Sequence, residues 1–168
     1  MGVMATYATT IDSPVGPLTL VATDEAICEL LWAGDESVRP SGSDAPVVDA
    51  SHPVLARAAE ELCEYFAGAR RDFTVPVHTA GTAFQQSVWT VLRGIPYGTT
   101  ITYGEQARRV GNPKAMRAVG GANGRNPVGI IVPCHRVIGA DGSLTGFGGG
   151  MKAKAWLLEH ERRLVAND

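Results

Sequence analysis

Three observations in the amino-acid sequence predict an α+β protein of two domains, residues 1–80 and 81–168. The first half carries short apolar and alternating runs broken by Ser13-Pro14 and Gly16-Pro17, the pattern of a small antiparallel sheet. The second half carries helix-opening motifs in close succession. Charge also changes sign between them. Residues 1–80 hold 4 Lys/Arg against 12 Asp/Glu, a balance of −8, and residues 81–168 hold 11 against 5, a balance of +6, which together return the net −2 of the chain. Such asymmetry suggests that one half meets a polyanion.

In chain order, Tyr7 to Trp32 reads as a meander of about three strands, followed by a polar loop over residues 34–51 rich in Gly, Ser, Asp and Pro. Pro53 suits the first position of a helix. Leu55, Ala59, Leu62 and Phe66 recur at helical spacing, Gly68 closes the element, and Cys63 is placed on or near its apolar face. Phe73 to Val77 is expected to return to the sheet. No chemical motif falls in this half, which points to a structural role.

The boundary lies at Thr79 to Thr82. Thr82-Ala-Phe-Gln85 is a capping box opening a helix through Leu92, with Val88, Val91 and Leu92 available for its buried face. Thr102-Tyr-Gly-Glu105 is a second box, for a helix reaching about Val110 before Gly111. Asn112-Pro113 predicts a third helix, N-capped at Asn112 and running to about Ala122. Two helices around a tight glycine-containing turn form a helix-turn-helix. This pair carries Arg108, Arg109, Lys114 and Arg117, with Arg125 following, against only Glu105, which fits DNA contact or a solvated basic face. Residues 137–150 form a glycine-dense loop, and Met151 to Leu164 a last helix with Trp156, Leu157 and Leu164 facing inward.

Between these elements lies Gly129-Ile-Ile-Val-Pro-Cys-His-Arg-Val-Ile-Gly139. Ile130 to Val132 reads as a short buried strand that Pro133 stops. Cys134 follows directly, beside His135 and Arg136. A thiol becomes nucleophilic as thiolate, and neighbouring cations favour that form. A cysteine among Ile and Val is also commonly a small core hydrophobe. Adjacent Cys and His would face opposite ways in a continuing strand, so a dyad needs a bend here.

The three cysteines, Cys28, Cys63 and Cys134, have no short spacing, which argues against a disulfide framework and a structural zinc site and suggests a reducing cytoplasm. No cofactor or metal is expected. No apolar run approaches the ~20 residues of a membrane span, and the N-terminus lacks a signal-peptide pattern. Met1 to Thr6 fits the N-myristoylation pattern only formally, with no polybasic stretch behind it.

Pro133-Cys-His-Arg-Val-Ile138, with Arg117-Ala-Val-Gly-Gly-Ala-Asn123 and Asn126-Pro127, resembles the O6-alkylguanine-DNA alkyltransferase family. The resemblance extends through Phe84-Gln-Gln-Ser-Val-Trp89, Ile95-Pro-Tyr-Gly98 and the last helix, covering residues 82–163. In the N-terminal half its best segment is Ser13-Pro-Val-Gly-Pro-Leu18. It implies a ribonuclease H-like first domain and a helical, winged helix-turn-helix second domain. It also implies direct-reversal repair, in which O6-alkylguanine, and O4-alkylthymine, is flipped out of duplex DNA and its alkyl group moves irreversibly to Cys134. Matching the motif residue by residue, His135 takes the thiol proton, Glu161 orients the imidazole and Asn126 holds the turn bearing Cys134. Tyr103 presses on the phosphate backbone. Val137 and Gly148, with the Cys134 carbonyl, read guanine. Arg117 replaces the flipped base, and Ala115 and Met116 approach the minor groove. The family implies a monomer in solution, with cooperative binding along DNA as a further expectation. Phe147 stands where many members carry Tyr, Gly148 where some carry Ser, and Met116 where alanine is frequent.

Other classes fit less of the chain. A lesion-binding relative would lack the active-site cysteine. A helix-turn-helix alkylation sensor would need an effector or dimerisation segment. A cysteine hydrolase would leave the basic helix pair unexplained.

Overall fold

The computed structural model describes residues 5–33, 46–144, 147 and 149–167. The chain divides into two units, Met1–Ala80 and Gly81–Asp168.

In the first unit, β1 (Tyr7–Ile11), β2 (Leu18–Ala22) and β3 (Ile27–Trp32) form the expected antiparallel meander, with Tyr7 opposite Ala22 and Leu18 opposite Trp32. The β1–β2 turn is closed by Ser13, whose hydroxyl accepts from the Val15 N–H at 3.1 Å while its carbonyl accepts from the Gly16 N–H at 3.0 Å. Gly16 has φ 98°, a backbone conformation that glycine adopts without steric cost. Leu18, Leu20, Leu30 and Ile27 are buried on the sheet.

A fourth strand, β4 (Val47–Val48), pairs parallel to β1, giving the order β3-β2-β1-β4. It falls in the segment expected to be loop, and residues 34–45 of that segment lie outside the described residues. Phe73 to Val77 returns only as an isolated bridge between Val77 and Ile27. The reason is a competing acceptor: the N–H groups of Thr74 and Val75 donate to the buried Glu61 carboxylate at 2.8 and 3.0 Å instead of to a strand.

Helix α1 (Pro53–Phe66) starts at Pro53 as expected, with the His52 imidazole as its cap, accepting from the Val54 N–H at 3.3 Å. Its buried stripe is Leu55, Ala58, Leu62 and Tyr65 rather than Leu55, Ala59, Leu62 and Phe66. Tyr65, the largest apolar side chain fully buried in this unit, sets that register, and Cys63 is consequently exposed rather than packed.

The second unit holds α2 (Ala83–Arg93), α3 (Tyr103–Val110), α4 (Met116–Gly124) and α5 (Met151–Ala166), with a two-stranded parallel ladder of β5 (Ile101–Thr102) and β6 (Val137–Ile138). The Thr82–Gln85 capping box forms with both bonds, and α2 buries Val88, Trp89 and Leu92 in place of Val88, Val91 and Leu92. Trp89 turns inward because its indole N–H reaches the Ala122 carbonyl at 2.9 Å, tying α2 to α4. The second box forms by half. Thr102 accepts from the Glu105 N–H at 3.1 Å, but the Glu105 carboxylate is drawn away by Arg108 and Arg109.

Gly111, at φ 93°, ends α3 in a Schellman turn, with bonds Gly111 N–H to Arg108 C=O and Asn112 N–H to Ala107 C=O, both 3.0 Å. That turn consumes Asn112, so α4 begins at Met116 with Ala115 as N-cap instead of starting at Asn112-Pro113. In α5, Ala153, Lys154, Leu157 and Glu161 are buried, while Trp156 and Leu164 are half-buried. No helix among the described residues is long and apolar enough to cross a membrane.

Candidate active site and nucleic-acid interface

The Ile130 to Val132 run is not a strand. It folds into a tight turn in which the Val132 N–H returns to the Val128 carbonyl at 2.9 Å and the Cys134 N–H to the Val132 carbonyl at 2.8 Å. Ile130, fully buried, sits at φ 71°. For a β-branched residue this is a strained, left-handed conformation costing about 1–3 kcal/mol, of the sort that surrounding structure must over-determine. Asn126 supplies that restraint: its Nδ2 donates to the Val132 carbonyl at 2.8 Å and its Oδ1 accepts from the Val128 N–H at 3.0 Å. After Pro133 the chain makes one 3₁₀ turn, Cys134–Arg136, before β6. This is the bend that an adjacent Cys and His require.

Cys134 is 4% exposed and His135 0%. The His135 Nε2 lies 2.7 Å from Glu161 Oε2. The same carboxylate receives Arg136 Nε on Oε1 at 2.9 Å, Arg136 Nη2 on Oε2 at 3.1 Å and the Gly98 N–H on Oε1 at 3.1 Å. Arg136 spends its remaining nitrogen on the Ile95 carbonyl at 2.7 Å, with its guanidinium 5.5 Å above the Tyr97 ring. These donors hold the Glu161 carboxyl far below the usual carboxylate range despite its burial. An anionic partner fixes the tautomer: Nε2 must carry the proton, which leaves the lone pair on Nδ1. Nδ1 is buried and has no hydrogen-bond partner among the described residues.

Burial holds the His135 imidazole below its ordinary pKa; Glu161 opposes the shift, and Arg136 and Lys154 add to it. Burial pushes the Cys134 thiol up to about 11, with the Asn126 side chain and Lys154 working the other way. At neutral pH the thiol is therefore protonated and the imidazole neutral, so reaction at the sulfur needs a base to take the thiol proton.

Lys154 was not evident as a site residue from sequence. It is fully buried on α5, its Nζ 5.7 Å from the centre of the Tyr103 ring, and its charge acts on Cys134. Its spacing of seven from Glu161, which puts both on one helix face, was the signal available. The Ile95–Gly98 turn is the second unrecognised part, gripping Arg136 and Glu161 through backbone groups.

The structure thus brings Cys134, His135, Glu161 and Asn126 together, with Tyr103 half-buried at the start of α3 and Val137 buried in β6. The Cys134 carbonyl already accepts from the Val137 N–H within the 3₁₀ turn. Arg117 and Met116 are exposed in the first turn of α4, and Ala115 is half-buried as its N-cap. Met116 reaches back toward α3, where its Sδ lies 3.8 Å from where a Cβ on Gly104 would stand. Arg108 and Arg109 of the basic helix pair both pair with Glu105, Arg109 at 3.1 Å. Gly148, with Thr145 and Gly146, lies outside the described residues, whereas Phe147 is half-buried and its carbonyl accepts from the Gly150 N–H at 3.1 Å. No group of three or more His, Cys, Asp and Glu among the described residues could hold a metal ion.

A buried thiol and a carboxylate-anchored imidazole beside a helix-turn-helix define a protein with cysteine chemistry built onto a helix-turn-helix scaffold. Residues 83–163 match the DNA binding domain of 6-O-methylguanine DNA methyltransferase, and residues 6–79 match the ribonuclease-like domain of the same family. A methylated-DNA–protein-cysteine methyltransferase of Mycobacterium tuberculosis is 49% identical over 160 residues, covering 95% of this chain and 94% of that protein. The constitutive enzyme of that name from Bacillus subtilis is 43% identical over 157 residues, with 93% and 95% covered. A crystal structure of M. tuberculosis O6-methylguanine methyltransferase superposes with a TM-score of 0.84 at 44% identity, over 97% of this chain and 99% of that one. A structure of the M. tuberculosis protein in complex with DNA gives 0.83 at 46% identity, with 94% of each chain covered. The chain belongs to the 6-O-methylguanine DNA methyltransferase family.

Proposed function

We propose that this protein repairs alkylated DNA by direct reversal, taking the alkyl group from guanine O6 onto the Cys134 sulfur. The observation that carries this is the locked imidazole: Glu161 binds the Nε2 side of His135, so the Nδ1 lone pair is the acceptor left for the thiol proton. In the reaction Nδ1 accepts that proton, through a water, as the sulfur attacks the alkyl carbon. The S–C bond forms, the C–O6 bond breaks, and the electron pair leaves with the purine. The departing guanine takes up one proton, balancing the one lost by the thiol. The thioether has no easy hydrolytic route, so each molecule acts once; O4-alkylthymine is a second substrate by the same chemistry.

Residues 81–168 carry both DNA binding and transfer, and residues 1–80 act as a structural domain. Asn126 fixes the turn that aims Cys134. A base inside a duplex must be extruded before its O6 can meet a buried thiol. Arg117, exposed at the start of α4, fills the gap in the stack. Tyr103 presses on the phosphate backbone, and Ala115 and Met116 allow α4 close approach to the minor groove. Val137, the Cys134 carbonyl and the Gly148 amide contact the flipped guanine. Cys134 without a disulfide partner suits a reducing cytoplasm, and the protein acts as a monomer that loads cooperatively along DNA.

The test is transfer of labelled methyl from an O6-methylguanine duplex to protein. Wild type should become labelled and Cys134→Ala should not. Labelling of Cys134→Ala at the wild-type rate would overturn the assignment of the acceptor, and release of free methyl product over many cycles would overturn the single-use chemistry.

A further inference from the structure

Gln106 on α3 and Asn123 on α4 form a closed amide pair. Gln106 Nε2 donates to Asn123 Oδ1 at 2.8 Å, and Asn123 Nδ2 donates to Gln106 Oε1 at 2.7 Å. Both side chains are buried, Gln106 at 0% and Asn123 at 1% exposure. The pair lies in the contact between the two helices of the helix-turn-helix, among Ala107, Val119 and Ala122, which are also buried. Burying four amide hydrogen-bonding groups in an apolar contact is no cheap route to stability. Removing one partner strands the other, whereas two apolar side chains of similar size can be nearly neutral or stabilising. Where such a polar pair persists inside a helix–helix contact, its best-attested use is fixing register, because apolar surfaces slide and a reciprocal amide pair has one geometry.

The position of the pair says what register it would fix. About two helical turns before Asn123, α4 carries Met116 and Arg117 at its exposed start. Just after it, the Asn126 N–H donates to the Asn123 carbonyl at 3.2 Å, and Asn126 then grips the turn leading to Cys134. The far end of α4 is held separately, by Trp89 on the Ala122 carbonyl at 2.9 Å. A swing of α4 on α3 about the end that Trp89 holds would therefore shift Arg117 relative to Cys134 while leaving the thiol turn itself intact.

We infer that Gln106 and Asn123 are a positioning pair that sets the register of α4 on α3, and so the placement of the DNA-inserting residues relative to Cys134. This rests on the DNA-repair function proposed above. Neither side chain touches the reacting atoms, so the pair should matter for duplex substrate and not for a free base that diffuses to the thiol unaided.

The experiment compares wild type, Gln106→Leu/Asn123→Leu and the swapped pair Gln106→Asn/Asn123→Gln. Each is assayed for melting temperature, for transfer from an O6-methylguanine duplex at saturating DNA, and for reaction with free O6-benzylguanine. The double Leu variant should keep its melting temperature and its free-base rate but lose about tenfold or more in duplex transfer, as a displacement near 1 Å can cost that much. The swapped pair should recover most of the duplex rate. Wild-type duplex rate in the folded double Leu variant would make the pair structural only and overturn the inference. Parallel loss on both substrates would overturn it too, by placing the effect at the thiol turn. If the double Leu variant does not fold, the swapped pair decides: normal free-base reaction with duplex transfer within about threefold of wild type supports the inference, and equal losses on both substrates refute it. Wild type that transfers nothing from the duplex would refute the proposed function instead, so the two failures are distinguishable.

Discussion

Glu161→Gln probes the site at its most constrained point. The carboxylate accepts hydrogen bonds from Gly98 N–H, two Arg136 nitrogens and His135 Nε2. A glutamine can keep its oxygen toward Gly98 and Arg136 Nε, but its amide NH2 then faces Arg136 Nη2 and His135 Nε2, both donors. His135 can relieve its part of that conflict only by moving its proton to Nδ1, which removes the lone pair proposed to accept the thiol proton. Loss of a positioned general base costs about 10²- to 10⁴-fold in rate. Arg136, only 5% exposed, loses its counter-charge, and breaking a buried pair this way costs about 3–5 kcal/mol. That is a large share of the 5–15 kcal/mol typical of a whole domain. Single-turnover transfer from O6-methylguanine duplex and from free O6-benzylguanine, alongside thermal melting, measures both effects. The free-base rate should fall with the duplex rate, because the defect lies at the thiol and not at the DNA. A folded Glu161→Gln protein that transfers at near wild-type rate on either substrate would refute the tautomer argument.

Acid should weaken both stability and transfer. The His135 pKa is held below its ordinary 6.5, so the neutral imidazole stabilises the fold fully above about 6.5, and that contribution is lost as pH falls below it; melting temperatures that rise between pH 7 and pH 5.5 would contradict this. Gly98→Ala should destabilise by at least about 1–3 kcal/mol, since Gly98 has φ 77° and a Cβ there would stand 2.3 Å from a Val165 methyl. The valine can rotate, but φ cannot relax without losing the bond to Glu161, so an unchanged melting temperature would be inconsistent with that bond. Glu105→Gln should free Arg108 and Arg109 for phosphates. Affinity for undamaged duplex should rise and the slope of log K against log salt should steepen, by up to about 0.9 for each phosphate gained. Unchanged slope in an anisotropy titration would mean that the two arginines do not face DNA.

The parts of the fold written in local chemistry were legible in the sequence. The meander between Tyr7 and Trp32, Pro53 as a helix start, the Thr82 box and the Gly111 stop all depend on residues within a few positions. The readings that failed are those where a competing hydrogen-bond partner won. Glu61 took the N–H groups that would have made Thr74 and Val75 a strand, and the Schellman turn took Asn112 from its role as a cap. Ile130 to Val132 looked like a strand because β-branched residues prefer that conformation, yet Asn126 and the following turn force Ile130 to positive φ. At the site, Cys134 and His135 stood out through their motif, but their meeting with Glu161 depends on an ion pair spanning 25 residues of sequence. Lys154 went unseen because a lysine on a terminal helix ordinarily faces water, and only the tertiary fold shows this one buried beside a thiol and Tyr103.

The most direct measurement is intact-mass analysis with peptide mapping after incubation with excess O6-methylguanine duplex. One methyl group per protein, located on Cys134 and unchanged on longer incubation, is the expected result. A methyl on Cys28 or Cys63, or an unmodified protein that nevertheless clears the lesion from an excess of duplex, would contradict the account.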